Sequence, residues 1–123
     1  MPITNTWEAR GVYRKFTGSF SREDLRLAQD EVYGNPHFDR ISYVVNDFLE
    51  AQPDETINEL DAQLGAAFAS AALRINSRLR HAAVATDPGV LELLNAYLST
   101  PVSPFPPSKI FPTLVEARQW VEG

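Results

Sequence analysis

The chain has no cysteine among its 123 residues and only two histidines, and both shortages exclude kinds of chemistry. Without cysteine there is no disulfide framework and no thiolate, which is typical of proteins from a reducing compartment. His37 and His81 lie far apart and match no HxH or HxxxH spacing, so we predict structural roles for both. No metal site and no cofactor are expected.

Targeting segments and long apolar runs are also missing. Residues 1–6 show no basic region followed by an apolar core, so no signal peptide is predicted. The most apolar stretch, residues 64–75, contains Ser70 and Arg74 and is too short to cross a bilayer. We therefore expect a cytoplasmic protein without a membrane span, forming a single domain over residues 1–123.

The charge balance argues against a nucleic-acid partner. The formal net charge is −5, from 16 acidic and 11 basic residues. A nucleic-acid-binding protein usually presents a basic face, whereas here only Arg74, Arg78 and Arg80 cluster. The sequence also has no GxSxG elbow and no phosphate-binding glycine loop, so we expect no catalytic residues and no enzyme.

The N-terminal third predicts a hairpin followed by a helix. Residues 4–9 and 11–17 read as strands, and in the second Val12, Arg14 and Phe16 occupy alternate positions. The short connection between these strands predicts antiparallel pairing. Ser21 and Asp24 form a capping-box pattern, so the first helix is expected to begin there and run to about residue 33.

The remaining elements alternate between strands and helices. Residues 41–45, 82–86 and 109–111 are predicted strands, the first ending at Asn46 and Asp47. Helices are predicted from Pro53, over residues 90–98 and over residues 113–121. The order β-β-α-β-α-β-α-β-α predicts an α/β fold, with a mostly parallel sheet, an antiparallel first strand and helices packed on it. The predicted core consists of Val44, Val45, Leu64, Phe68, Val84 and Leu94.

Several ordered motifs make the chain similar to the SpoIIAA-like, STAS-type domain family, and to its small bacterial branch in particular. They cover roughly residues 6–121: Gly18 with residues 20–25, residues 38–41 leading into 44–47, residues 81–87, and residues 110–113 with Glu116, Ala117 and Trp120. The resemblance implies a small sheet–helix domain that binds other proteins, with distant structural kin that hold lipids. Function by fold alone remains analogy.

The chain departs from this family at its phosphorylation switch. Phospho-regulated members carry an Asp-Ser-Ser/Thr-Gly motif at the start of the second helix. Here Asp54 matches the aspartate, Glu55 stands at the switch position, and Thr56 is the nearby hydroxyl. The resemblance therefore implies a domain without the usual phosphorylatable serine.

A candidate ligand site lies where two parallel strands are predicted to end. Asn46, Asp47, Thr86 and Asp87 follow those strands, and open α/β sheets bind ligands at that edge. Turn formation alone also explains Asp47 and Asp87, and a helix cap is the more natural role for Asp87 before Pro88. An enzyme using Asp47 and Asp87 is a third, weaker alternative because no base–nucleophile pair accompanies them.

The second helix offers a possible interface. Residues 65–72 are almost all small, so this helix can approach its own sheet or a second helix closely. The leading hypothesis is a non-catalytic interaction or regulatory domain that binds a protein partner or forms a homodimer. The alternative is a carrier that holds a small apolar ligand or lipid between helices and sheet.

Overall fold

The computed structural model describes residues 2–123, which form a five-stranded sheet with four α-helices. The strands are β1 (Ile3–Trp7), β2 (Gly11–Phe20), β3 (Tyr43–Pro53), β4 (Arg80–Val84) and β5 (Ser108–Phe111). The helices are α1 (Arg22–Tyr33), α2 (Glu59–Ile75), α3 (Pro88–Leu98) and α4 (Leu114–Glu122), with a 3₁₀ turn at Pro36–Arg40. The strands lie in chain order, β1 antiparallel to β2 and all other neighbours parallel, which confirms the predicted fold class. No helix within residues 2–123 is long and apolar enough to cross a bilayer.

Local sequence explains the first helix and the strand before it. The Ser21 side chain accepts from the Asp24 N–H at 3.1 Å, and the Asp24 carboxylate accepts from the Ser21 N–H at 2.9 Å. This capping box satisfies two free donors of α1, as predicted. Strand β2 runs on to Phe20, past its predicted end at Thr17, because Gly18 adopts a φ of 62° that suits glycine.

The helices divide between the two faces of the sheet. Helix α4 covers one face, where a single buried cluster forms from Tyr43, Val45, Ala82, Val84, Phe111, Ala117 and Val121. Helices α1 and α2 cover the opposite face, where the buried set is Val12, Val32, Phe38, Ile41, Val44, Ala72 and Leu79. Helix α3 packs beside α2. We call this second side of the sheet the three-helix face.

An ion pair fastens α4 to the hairpin. Arg118 donates to both carboxylate oxygens of Glu8 at 2.7 Å, and the Tyr43 hydroxyl donates to the same carboxylate. The hydrogen bonds from Arg118 are the main reason that the pKa of Glu8 lies below its usual range. The C-terminal helix therefore has a polar anchor in addition to its apolar face.

The predicted core is confirmed for the strands and wrong for α2. Val44, Val45 and Val84 are buried, and Leu94 is half-buried, whereas Leu64 and Phe68 are 50% and 53% exposed. Helix α2 instead turns its small residues inward: Ala66, Ala69, Ser70 and Ala72 are buried. Both sides of α2 are apolar, so helical periodicity alone does not select the inward one.

The start of α2 and the end of β3 also differ from the prediction. Helix α2 begins at Glu59, not at Pro53, because Asn58 caps it through the N–H groups of Leu60 and Asp61. Strand β3 runs to Pro53 instead of ending at Asn46 and Asp47. The polar residues that resemble a strand end are tolerated inside β3 because neighbouring strands pair with it on both sides.

Candidate functional site

Two of the four predicted site residues, Asn46 and Asp47, lie on opposite faces of the sheet. They lie within β3, opposite Arg14 and Lys15 of β2, so the prediction that the strand ends at them is wrong, although Asp47 is level with the last residue of β4, Val84. Successive residues of a strand point to opposite faces. Asn46 accordingly lines the three-helix face, whereas Asp47 lies on the α4 face.

Asp47 has structural partners in its buried position. Its carboxylate accepts from the Tyr13 hydroxyl at 2.5 Å and from the Leu49 N–H at 3.0 Å. Burial, followed by the hydrogen bond to Asp47, raises the pKa of Tyr13, which therefore remains a neutral donor. Asp47 is thus occupied in joining β2 to β3.

Thr86 and Asp87 do follow β4, at the predicted edge. Thr86 is exposed, and the Asp87 carboxylate accepts from the Val90 N–H at 3.1 Å as the cap of α3. Asp87 therefore has the capping role favoured by the Pro88 that follows it. Of the four predicted residues, Asn46 faces the cavity side of the sheet, Asp47 faces the other side, and Asp87 caps a helix.

One side of α2 presents a continuous apolar surface. We call it the α2 stripe and define it by Leu60, Leu64, Ala67, Phe68, Ala71 and Ile75. All six are exposed, and the four large side chains are 50–71% exposed. Their spacing of three to four residues aligns them along the helix. The stripe has the character of an interaction site, since large contiguous apolar patches on a protein surface mark such sites.

The other notable feature is a cavity on the three-helix face, between the sheet and α1, α2 and α3. It has a volume of about 150 Å³. Most of its lining is apolar, including Phe16, Phe20, Leu25, Phe48, Ile57, Val90 and Leu94. Its polar lining includes Arg14, Asn46 and His81, which neighbouring strands bring together.

Arg14 is buried in this cavity without a counter-ion. The residue is 7% exposed, and its Nε and Nη2 atoms have no hydrogen-bond partner within residues 2–123. Burial lowers its pKa, and its guanidinium lies 5.6 Å from the centre of the Phe16 ring. Asn46 Oδ1 and His81 Nε2 are also buried and unpartnered. Burial, aided by the Arg14 charge, lowers the pKa of His81 to about 4, so this imidazole is neutral at pH 7.

Two solved structures resemble the chain over nearly its whole length. The unphosphorylated form of the anti-sigma factor antagonist SpoIIAA aligns with a TM-score of 0.66 and 13% identity, covering 98% of each chain. This chain has a SpoIIAA-like fold. A DUF3478-family protein from Shewanella loihica PV-4, also of SpoIIAA-like fold, aligns with a TM-score of 0.56 and 18% identity, over 97% of this chain and 91% of that one. No protein-family model and no curated protein matches the sequence.

Within this SpoIIAA-like fold, the segment predicted to match the switch lies in a turn. Asp54, Glu55 and Thr56 connect β3 to α2, so their predicted position at the start of the helix is wrong. The Thr56 hydroxyl donates to Asp54 at 2.6 Å and accepts from the Arg22 N–H at 2.9 Å. Thr56 thus links this turn to the start of α1.

The site predicted from sequence includes neither His81 nor Arg14. The signal for Arg14 lies in the alternation of β2, where it shares a face with the apolar residues Val12 and Phe16. Arginine is rarely buried without a partner, so a charge on the apolar side of a strand points to a site.

Proposed function

We propose that this chain is a non-catalytic interaction domain that forms a homodimer through the α2 stripe. The observation that carries the proposal is the exposure of Leu64 and Phe68, at 50% and 53%, in the middle of α2. Covering such side chains removes apolar surface from water, which is the main driving force of association. We further propose that the domain is regulatory and acts in the cytoplasm, a reducing compartment in which proteins without cysteine are common.

A second copy of the chain fits the stripe because the stripe is complementary to itself. An antiparallel copy, related by a two-fold axis between Ala67 and Phe68, places Phe68 against Ala67 of the second copy. The same register places Leu64 against Ala71 of the second copy. In the middle of the stripe, large side chains thereby meet small ones, which lets two helices interdigitate, and at each end Leu60 meets Ile75.

The charges at the ends of the stripe favour the same orientation. Glu59 and Arg74 lie at opposite ends of α2 and are both exposed. In an antiparallel pair, Glu59 of each copy lies at the same end as Arg74 of the other. A parallel pair would bring like charges together.

A second candidate function is supported by the cavity beside Arg14. The expected alternative was a carrier of a small apolar ligand between helices and sheet, and a cavity of about 150 Å³ lies in that position. Its polar lining indicates a ligand that is not purely apolar.

The homodimer is tested by measuring mass in solution. Sedimentation velocity or light scattering of the parent chain at micromolar concentration should give twice 13.7 kDa. Replacing both central side chains, Leu64→Gln with Phe68→Gln, should return the monomer mass. The matched control is Leu27→Gln with Val115→Gln, which removes exposed apolar side chains from α1 and α4 and should leave the dimer intact.

A cross-link tests the orientation of the two copies. Since the chain has no cysteine, an Ala67→Cys variant carries a single thiol beside the proposed two-fold axis. Mild oxidation should convert it to a covalent dimer, whereas Val115→Cys should stay monomeric on the same time scale. A parent chain that remains monomeric at 100-fold higher concentrations than those tested first, or an equal cross-linking rate for both variants, would refute the proposal.

A further inference from the structure

We infer that the cavity beside Arg14 binds a small carboxylate whose body is one aromatic ring or a short aliphatic chain. This inference rests on the cavity alone and is independent of the α2 stripe. Of the site residues predicted from sequence, Asn46 alone lines this cavity.

The unpartnered atoms of Arg14 are the two that bind carboxylates side-on. In this same protein, Arg22 holds the Asp61 carboxylate with Nε at 2.7 Å and Nη2 at 3.1 Å. Nε and Nη2 are the buried atoms of Arg14 that lack a partner. The guanidinium therefore has an unoccupied bidentate pair of N–H donors, whose geometry matches a carboxylate.

The surroundings of Arg14 explain why an anion is needed there. Within residues 2–123, no carboxylate lies within 4 Å of its guanidinium, and Glu31 contributes only a longer-range attraction. A buried charge without a partner is costly, and contact with the Phe16 ring offsets only part of that cost. A bound carboxylate supplies the missing charge and both acceptors.

The other polar groups of the cavity fit a single negative charge. Asp61 also lines the cavity, but its charge is already paired with Arg22. His81 is neutral at pH 7, since its pKa is about 4. Lys109 also lines the cavity but is exposed to water. Within residues 2–123, Arg14 is therefore the one buried cation of the lining without a counter-ion, and a monoanion neutralises it.

The apolar lining sets the body of the ligand. Phe20, Leu25, Ile57, Val90 and Leu94 line the same cavity as Arg14. An apolar cavity of about 150 Å³ is large enough for benzene. The site therefore suits an arylcarboxylate or a chain of about six carbons, and it is too small for a long acyl chain.

Calorimetric titration with matched probes tests this inference. Benzoate and hexanoate are compared with benzamide and hexanamide, which have nearly the same shape and no charge, and with benzylammonium, which has the opposite charge. At least one carboxylate should bind about 10–100-fold more tightly than its amide, the range expected for hydrogen bonds to charged groups. Benzylammonium should bind more weakly than benzamide.

Variants of Arg14 test whether its Nε and Nη2 donors cause the preference for carboxylate over amide. Arg14→Met should abolish the preference for carboxylate over amide while still admitting the amide. Arg14→Lys keeps the positive charge without the bidentate donor pair and should retain only part of the preference. Arg26→Met, which removes an exposed arginine of α1, should change nothing. Near-ultraviolet circular dichroism confirms that each variant is folded.

The inference is overturned by any of three results. One is equal affinity of the parent chain for carboxylates and amides, and another is the absence of binding for every probe. The third is an unchanged carboxylate preference in folded Arg14→Met protein, which would place the anion elsewhere.

Discussion

Replacement of Arg14 by methionine should make the ligand-free protein more stable. Methionine retains an unbranched apolar stem that can pack on the three-helix face, and it removes a guanidinium that is 7% exposed and has two unpartnered nitrogens. Most substitutions of buried residues destabilise a protein. A gain in stability would therefore mark Arg14 as a residue kept for binding at the expense of folding.

The size of the gain follows from two opposing contributions. Desolvation of a buried ion costs several kcal/mol, and exchange of buried ionic groups for apolar ones of similar volume stabilises proteins by about 1–4 kcal/mol. The substitution also removes the cation–π contact with Phe16, at 5.6 Å, and this loss reduces the gain by about 1 kcal/mol. We expect a net increase of about 0–3 kcal/mol in the free energy of unfolding, with a central value of about 1.5 kcal/mol.

Urea unfolding of the dialysed, ligand-free protein measures this change. With a slope of about 1–3 kcal/mol per molar urea, the midpoint should rise by roughly 1 M. Arg26→Met is the control, because Arg26 is exposed and its removal should leave the midpoint almost unchanged. An Arg14→Met midpoint below that of the parent would refute the reasoning, since it would show that the guanidinium is satisfied in the folded state.

Four further outcomes are expected. Val45→Ala should lower the free energy of unfolding by about 1–3 kcal/mol because Val45 is fully buried, whereas Val115→Ala, at a position 66% exposed, should have little effect; equal urea midpoints would contradict the assigned core. His81 should make stability depend on pH, because its folded-state pKa of about 4 lies below the ordinary histidine value of 6.5. Its contribution to stability is complete above pH 6.5 and decreases as pH falls toward 4, by about 2 kcal/mol at pH 5. Urea titrations at pH 7 and pH 5 should show that difference in the parent and lose it in His81→Gln; an equal pH effect in both would exclude His81 as its source. Arg118→Met should cost about 1 kcal/mol at pH 7 by breaking the half-buried pair with Glu8, and an unchanged midpoint would show that this pair contributes nothing. Thr56 should carry no stoichiometric phosphate in protein from its own cells, because phosphate would add charge beside Asp54, and mass spectrometry can show the opposite.

Local patterns in the sequence were sufficient for the order and type of the elements. The alternation in β2, the capping box at Ser21 and the cap at Asp87 each depend on residues a few positions apart, so their effect on the backbone is readable without tertiary contacts. The order of strands and helices then limits the sheet to a mostly parallel arrangement with an antiparallel first strand. The resemblance to the SpoIIAA-like fold rested on that order.

Tertiary structure decided the features on which function depends. Strand β3 continues through Asn46 and Asp47 because β2 and β4 pair with it there, and polar side chains alone gave the wrong end. Helix α2 has two apolar sides, and close packing selects the small one, which leaves Leu64 and Phe68 exposed.

The cavity site is the clearest case of a feature that only the assembled fold creates. Arg14 comes from β2, Asn46 from β3 and His81 from β4, and strand register places them on one face of the sheet. A short window of sequence contains only one of the three. The sequence determines that a charge lies on the apolar side of β2, but whether an acidic group meets it depends on which helices cover that side. Here helix α2 brings one carboxylate to the cavity, that of Asp61, but it is paired with Arg22 and leaves Arg14 without an acidic partner within 4 Å in residues 2–123.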